Sequence, residues 1–381
     1  MRLFFVAGFI LSGSFAFAQT SIPTIKASSK SVDIRDDGYF RKNAWNISPE
    51  IKPDVYITAF SAKPRKVTFY TDQDSISYIV KPHSFIKFNI LLNNKDTALT
   101  AIYSYDTLGT LKKAAKYNYA EGKRDLPAFT YQPADNANLA ELRKAFNLDS
   151  IAGAANEVSK IINLLDWVHN LIPHDGGHNN PVVKNAMSMI AECKRDKRGL
   201  NCRGLATVLN ECYLAMGIPS RFVTCLPKDS MGIDNDCHVI NMVYAKELKK
   251  WIWIDPTFDA YVMNEKGELL GIQEVRERII DGRPLIINPS ANWNHKVSER
   301  KEDYLYSYMA KNLYLLECPV SSEYDTETKQ EGKTTTYMQL IPLDYFKKSI
   351  GMGSSINNIN KTTTVTYRTN NPTVFWAAPG N

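Results

Sequence analysis

No two of the six cysteines in this 381-residue chain stand at C-x-x-C spacing, so a zinc ribbon and a dithiol redox motif are both excluded. Beyond residue 18 there is no apolar run approaching the roughly 20 residues that a membrane-crossing helix needs. Charge of one sign is also scarce: 46 basic against 40 acidic residues leave +6, scattered along the chain, which points to neither nucleic acid nor a membrane surface as partner. Gly351-Met352-Gly353-Ser354 lacks the strand-to-helix context of a phosphate loop, and no oxygen-rich stretch has calcium-loop spacing. With hydrophobic residues at 44%, what remains is a globular chain too long for one small core.

Its start reads as an export leader. Arg2 is followed by an apolar stretch to Phe17 and by Ala16-Phe17-Ala18, so cleavage is expected after Ala18 and the mature chain is expected to be secreted or periplasmic, without a transmembrane segment. In such a compartment disulfides can form. If Cys202 stays reduced, the other five cysteines, at 193, 212, 225, 237 and 318, allow at most two bridges, in a pattern left open.

Residues 19–120 form a β-rich accessory unit. Val67–Thr71, Ser75–Val80 and Phe85–Leu92 are short, β-branched and aromatic, and turn residues separate them, which predicts a small antiparallel sandwich or barrel. Asn118 to about Asn136 is a polar linker carrying one strand through Phe129-Thr130-Tyr131. Helical spacing then appears in Leu139, Leu142, Ala145 and Phe146, in Ile161 to Ile172, and in a third stretch from Val182 to Cys193. Residues 121–290 are expected to be the catalytic unit and 291–381 an extension whose strands, at Thr334–Ile341 and Thr362–Thr369, pack on it.

The chemistry concentrates near Cys202, in Gly199-Leu200-Asn201-Cys202-Arg203-Gly204-Leu205-Ala206. Ala206, Leu209 and Tyr213 follow at helical spacing and Gly217-Ile218-Pro219 ends the pattern, so Cys202 opens a buried helix. A helix N-terminus presents unpaired N–H groups and a positive dipole end, which favours thiolate. A buried structural cysteine is the plain alternative. Downstream, Ser220–Cys225, Cys237–Tyr244 and Trp251–Asp255 read as strands, with a polar loop at Lys228–Asp236 between the first two. A hairpin centred between Lys246 and Glu247 would set His238 directly opposite Asp255, within reach of a carboxylate–imidazole hydrogen bond. One residue of slip would put them on opposite faces.

Four fragments, Asn201-Cys202-Arg203-Gly204-Leu205-Ala206, Gly217-Ile218-Pro219-Ser220-Arg221, His238-Val239-Ile240-Asn241 and Trp251-Ile252-Trp253-Ile254-Asp255-Pro256-Thr257, resemble the core of the transglutaminase-like superfamily, over roughly Ile161 to Pro284. The resemblance implies an α+β fold: a papain/transglutaminase-like core, its nucleophile-bearing helix packed on an antiparallel sheet, behind an N-terminal all-β domain. It implies Cys202 as nucleophile, His238 as general base and acid, and Asp255 as the group that orients the imidazole. Arg221 is then a structural, salt-bridging residue. The backbone N–H of Cys202 and the side chain of Asn201 are the candidate oxyanion donors, and His174 and Trp253 are expected to line the cleft. Animal transglutaminases place Gln and Trp beside the cysteine where this chain has Asn201 and Arg203, so a peptidase or amidase acting on a peptide or protein amide is expected rather than a cross-linking enzyme. No cofactor is expected. A catalytically silent peptide- or glycan-binding protein on the same scaffold is the alternative. His174-Asp175-Gly176-Gly177-His178 has H-x-x-x-H spacing, but its glycines make it a loop, and no metal is assigned to it.

Overall fold

The alternation that predicts strands in the first hundred residues closes into two four-stranded sheets sharing one core. A computed structural model describes residues 22–59, 64–114, 116–119, 126–228, 236–344 and 350–380. The expected leader and most of the loop 228–236 lie outside the described residues. One sheet runs Thr24–Ala27, Phe85–Leu92, Asp96–Tyr105, Asp54–Ala59; the other runs Tyr39–Asn46, Ser31–Asp36, Arg65–Tyr70, Ser75–Val80. Ile34, Phe69, Phe88 and Ile90 meet between them, fully buried, with Phe69 edge-on to Phe88 at 5.1 Å. Each such side chain contributes about 1.5–3 kcal/mol by leaving water. The expectation of a purely antiparallel unit needs correction. Thr24–Ala27 pairs parallel to Phe85–Leu92 and Asp54–Ala59 parallel to Asp96–Tyr105, because each of these strands joins its sheet after a long connection rather than a hairpin.

The rest of the chain is built on a nine-stranded sheet in the order Ile286–Ile287, Ala260–Met263, Lys250–Asp255, His238–Ala245, Ser220–Leu226, Leu315–Pro319, Thr334–Leu340, Thr362–Thr369, Gly351–Asn357. The C-terminal strands continue the sheet edge to edge, and one junction within them, Thr334–Leu340 with Thr362–Thr369, is parallel. Both faces are covered. Alternation sends Val243, Ile252 and Ile254 toward the helices Ala137–Ala145, Glu157–Leu171, Ala186–Asp196 and Cys202–Ala215. It sends Ile240, Met242, Trp251 and Trp253 to the opposite face, against the helix Ile272–Asp281 and the π-helical turn Tyr304–Met309. The third helix begins at Ala186 rather than Val182 because Asn185 caps it, its side chain accepting from Ser188 N–H.

The helix Cys202–Ala215 is buried along nearly its whole length, which its run Leu205-Ala206-Thr207-Val208-Leu209 explains. It stops at Gly217, whose φ of +71° suits glycine, two residues before Pro219. Where Arg221 was expected to form a salt bridge, the guanidinium is instead caged by aromatics: 3.6 Å from the Phe129 ring centre and 4.8 Å from that of Trp251, with Nη2 donating to the Phe375 carbonyl at 3.2 Å. A cation over ring faces replaces the carboxylate partner, so Arg221 is structural by another route. All six cysteines are free thiols, so the two permitted disulfides do not form.

Candidate active site

Asn201 fixes where the helix Cys202–Ala215 begins. Its Oδ1 accepts from Gly204 N–H at 3.2 Å and from Asn180 Nδ2 at 2.7 Å, while its own N–H donates to Asn180 Oδ1 at 3.0 Å. Asn180 and Asn201 thus clasp each other around the first turn, and Cys202 is the first helical residue, partly accessible. The amide oxygen of Asn201, the residue expected to supply an oxyanion donor, serves as the helix cap. The sulfur packs beside Ala206, Phe222 and Val239, at the start of the strand His238–Ala245.

His238 opens that strand and Asp255 closes the next. The hairpin pairs Asn241 with Ile254 and Ala245 with Lys250, so the ladder extended by one residue sets Asp255 opposite Ile240 and not His238. The turn spans Lys246–Lys249, with Lys249 in the left-handed region at φ +54°, so its centre lies one residue later than a turn centred between Lys246 and Glu247. The register therefore shifts by two, and an even shift preserves the face. His238 and Asp255 stand diagonally on one side of the sheet, His238 Nε2 to Asp255 Oδ2 at 2.7 Å, both fully buried.

The carboxylate is held by further donors. Tyr304 O–H donates to Oδ2 at 2.6 Å, Thr257 N–H donates to Oδ1 at 2.9 Å, and Trp253 Nε1–H donates to the Tyr304 oxygen at 3.0 Å. Trp253 is wholly buried beneath this network, so it does not line a cleft as expected; it shares the parity of Trp251 and Asp255 on the inner face of the sheet. Rings of Phe258 and Tyr308 flank the imidazole at 5.5 and 5.2 Å between centroids.

Since Nε2 of His238 is engaged by Asp255, Nδ1 is the atom left for Cys202. Burial pushes the Cys202 thiol up, but hydrogen bonding to His174 and to His238, with the charge of the His238 ring, outweighs it and holds the thiol down at about 6. Burial likewise works against a charged His238, and the Asp255 carboxylate and then the Cys202 sulfur overcome it, raising the imidazole to about 10. The resting pair is therefore thiolate and imidazolium. The other five thiols go the opposite way, burial being the largest cause in each: Cys193 and Cys318 rise to about 11, Cys237 to about 12, and Cys212 and Cys225 higher.

His174, expected at the cleft, is partly exposed and beside the sulfur. Its Nδ1 accepts from Trp293 Nε1–H at 3.1 Å, whereas His178 Nδ1 is bound to Asp175 at 2.6 Å, so the H-x-x-x-H pair is turned to different partners. Among the described residues no three His, Cys, Asp or Glu side chains gather as a metal site would require. Tyr304, Tyr308 and Trp293 are site residues that sequence reading left in the core. A signal existed only in the run Tyr304-Leu305-Tyr306-Ser307-Tyr308, whose π-helical turn is a geometry common at functional sites.

Residues 144–256 match the family model of the transglutaminase-like superfamily. No curated protein matches the chain. Among solved structures, LapG of Legionella pneumophila is 12% identical with a TM-score of 0.26, the match covering 48% of this chain and 97% of that one. A protein of Cytophaga hutchinsonii described as a candidate cysteine protease is 18% identical at a TM-score of 0.24, covering 60% and 73%. A candidate protease of Parabacteroides distasonis is 14% identical at 0.23, covering 59% and 38%.

Proposed function

From a transglutaminase-like core over residues 144–256, we propose that this chain is an exported thiol enzyme that cleaves or transfers acyl groups at amide bonds, a peptidase or amidase, with Cys202 as nucleophile, His238 as base and acid, and Asp255 as orienter. One observation carries the reading: a thiol pulled down to about 6 at a helix N-terminus, beside an imidazole whose far nitrogen is bound at 2.7 Å to a buried carboxylate.

The thiolate sulfur attacks the amide carbonyl, forming the S–C bond and sending the π pair to oxygen. Collapse restores the carbonyl and breaks the C–N bond, and the proton on His238 Nδ1 passes to the leaving amine. The acyl-thioester then meets water, whose proton returns to His238 as the hydroxyl oxygen bonds to carbon and the sulfur leaves. The sulfur is partly accessible, which gives water a path to the thioester. Asp255 keeps the ring in the tautomer and orientation these transfers need, and its three hydrogen-bond donors hold the carboxylate in position.

Digestion of a mixed peptide library by wild type beside Cys202→Ala tests the reading. Cleavage or acyl exchange lost with the thiol supports it; identical profiles with and without the thiol overturn it.

A further inference from the structure

The site holds a second imidazole that the thiol, base and orienter leave without a task. We propose that His174 is a catalytic residue: a neutral Nε2–H donor, held in that tautomer by Trp293, that stabilises the oxyanion formed when Cys202 attacks a carbonyl. This rests on Cys202 being the nucleophile.

Its backbone is strapped to the segment leading into Cys202. Asp175 N–H donates to the Leu200 carbonyl at 2.7 Å and Leu200 N–H to the Pro173 carbonyl at 3.1 Å, a bridge two residues before the nucleophile. Gly199 permits this approach, since a Cβ there would lie 2.3 Å from the Pro173 carbonyl oxygen. From the other side Asn294 clamps the same residue: His174 N–H donates to Oδ1 at 2.7 Å and Nδ2 donates to the His174 carbonyl at 2.8 Å. Neighbouring Trp293 then sets the ring. An indole N–H can only donate, so the 3.1 Å bond makes His174 Nδ1 an acceptor and puts the ring's proton on Nε2. That N–H is the donor left for Cys202.

In the resting enzyme this donor serves the thiolate. When the S–C bond forms, the sulfur loses its charge and the carbonyl oxygen gains it, while no proton leaves His174. A fixed donor beside the nucleophile can pass from one to the other, and preorganised donors of this kind are the largest electrostatic contribution to acyl transfer. His238 is taken up by Asp255 and proton transfer, so His174, with the Cys202 N–H at the helix start beside it, is the side-chain donor placed for the oxyanion.

The test compares two reactions of Cys202. Acylation by p-nitrophenyl acetate passes through an oxyanion; alkylation by iodoacetamide does not. Both are measured at the plateau of their pH profiles in wild type, His174→Ala, His174→Gln and Trp293→Phe. His174→Ala is expected to slow acylation roughly 100-fold more than alkylation, with Gln, which keeps an N–H donor, recovering part of the loss and Trp293→Phe falling between. Equal factors for both reagents, or no change in either, overturn the inference. If His174→Ala fails to fold by circular dichroism, Trp293→Phe, which keeps the imidazole, decides by the same ratio. If wild-type Cys202 alkylates no faster at pH 7 than the other five thiols, the nucleophile reading itself falls. If it alkylates selectively and the ratio ignores His174, only the oxyanion role falls.

Discussion

Tyr304 donates its hydroxyl proton, at 2.6 Å, to the same oxygen of Asp255 that holds the His238 ring. Forty-nine residues separate them in sequence, and the tyrosine reaches the carboxylate from a π-helical turn packed on the face of the sheet that carries Trp253. Its own oxygen is aimed by Trp253 Nε1–H. Tyr304→Phe removes one donor from the carboxylate and strands the indole N–H without an acceptor. The expected result is a stability loss of about 1–3 kcal/mol, with activity reduced but not abolished, because Asp255 still accepts from His238 and Thr257. Thermal melts and kcat/KM, measured together, check both.

Replacing the carboxylate itself goes further. Asp255 supplies the largest effects that raise His238, its charge and its hydrogen bond. In Asp255→Asn the ring loses its negative partner, the imidazolium is disfavoured, and the thiol loses the cation that holds it down. The activity is expected to fall roughly 10²- to 10⁴-fold. The onset of iodoacetamide reactivity at Cys202 should move above its wild-type position near pH 6. Alkylation rate against pH reads this directly, whether or not the natural substrate is known.

The thiolate–imidazolium pair also predicts an unusual insensitivity of stability to pH. Cys202 is lowered to about 6 from an ordinary value of 9.0, so the folded chain has lost that proton where the unfolded chain still binds it, and stability rises with pH in that window. His238 is raised to about 10 from 6.5, so the folded chain keeps a proton that the unfolded chain has lost, and stability falls with pH in that window. Between about 6.5 and 9 the two opposite slopes cancel: folded and unfolded chains hold the same number of protons on this pair. Cys202→Ala removes one side only. With Asp255 still raising His238, denaturant midpoints of the variant are expected to decline as pH rises through that range, at up to about 1.4 kcal/mol per pH unit, where wild type shows no such contribution. Parallel pH series for both proteins check it, and parallel declines would contradict the pair.

How far the sequence carried this site follows from how local each signal is. Cys202 announces itself through the helical spacing of Ala206, Leu209 and Tyr213 behind it, and His238 and Asp255 through strand patterns flanking a short turn. Parity survived a wrong turn centre because the left-handed Lys249 moves the register by an even number of residues. Trp253 shows the opposite case. It was expected to line the cleft, but alternation on a sheet covered on both faces buries it. Asn201 had the right position for a cap, but Asn180, the partner that clasps it, stands twenty-one residues earlier, where no local pattern points to it. Tyr304 and Trp293 act across 49 and 119 residues, through chain crossings that no periodicity encodes. The same limit hid the parallel pairings of the N-terminal sheets.

Gly204 gives the sharpest test of how the Cys202 sulfur is positioned, because nothing about its own backbone angles requires glycine. What requires it is Asn180. A Cβ at residue 204 would stand 2.6 Å from Asn180 Oδ1 and 2.8 Å from both Cγ and Nδ2, closer than such contacts occur. Alanine, normally the better helix former, must therefore push Asn180 aside. That breaks its bond to Asn201 Oδ1 at 2.7 Å and releases the acceptor of the Asn201 N–H at 3.0 Å. A helix propensity gain of about 1 kcal/mol for Gly→Ala is set against the loss of a clasp and a disturbed cap worth about 1–2 kcal/mol. Gly204→Ala is thus expected to be neutral to mildly destabilising in thermal melts, while alkylation of Cys202 slows because the first helical turn no longer fixes the sulfur. Asn180→Ala should slow alkylation in the same way without any added methyl group. In the double variant the second change should add little, since both act through one contact; full additivity of the two effects would separate Gly204 from the Asn180 clasp.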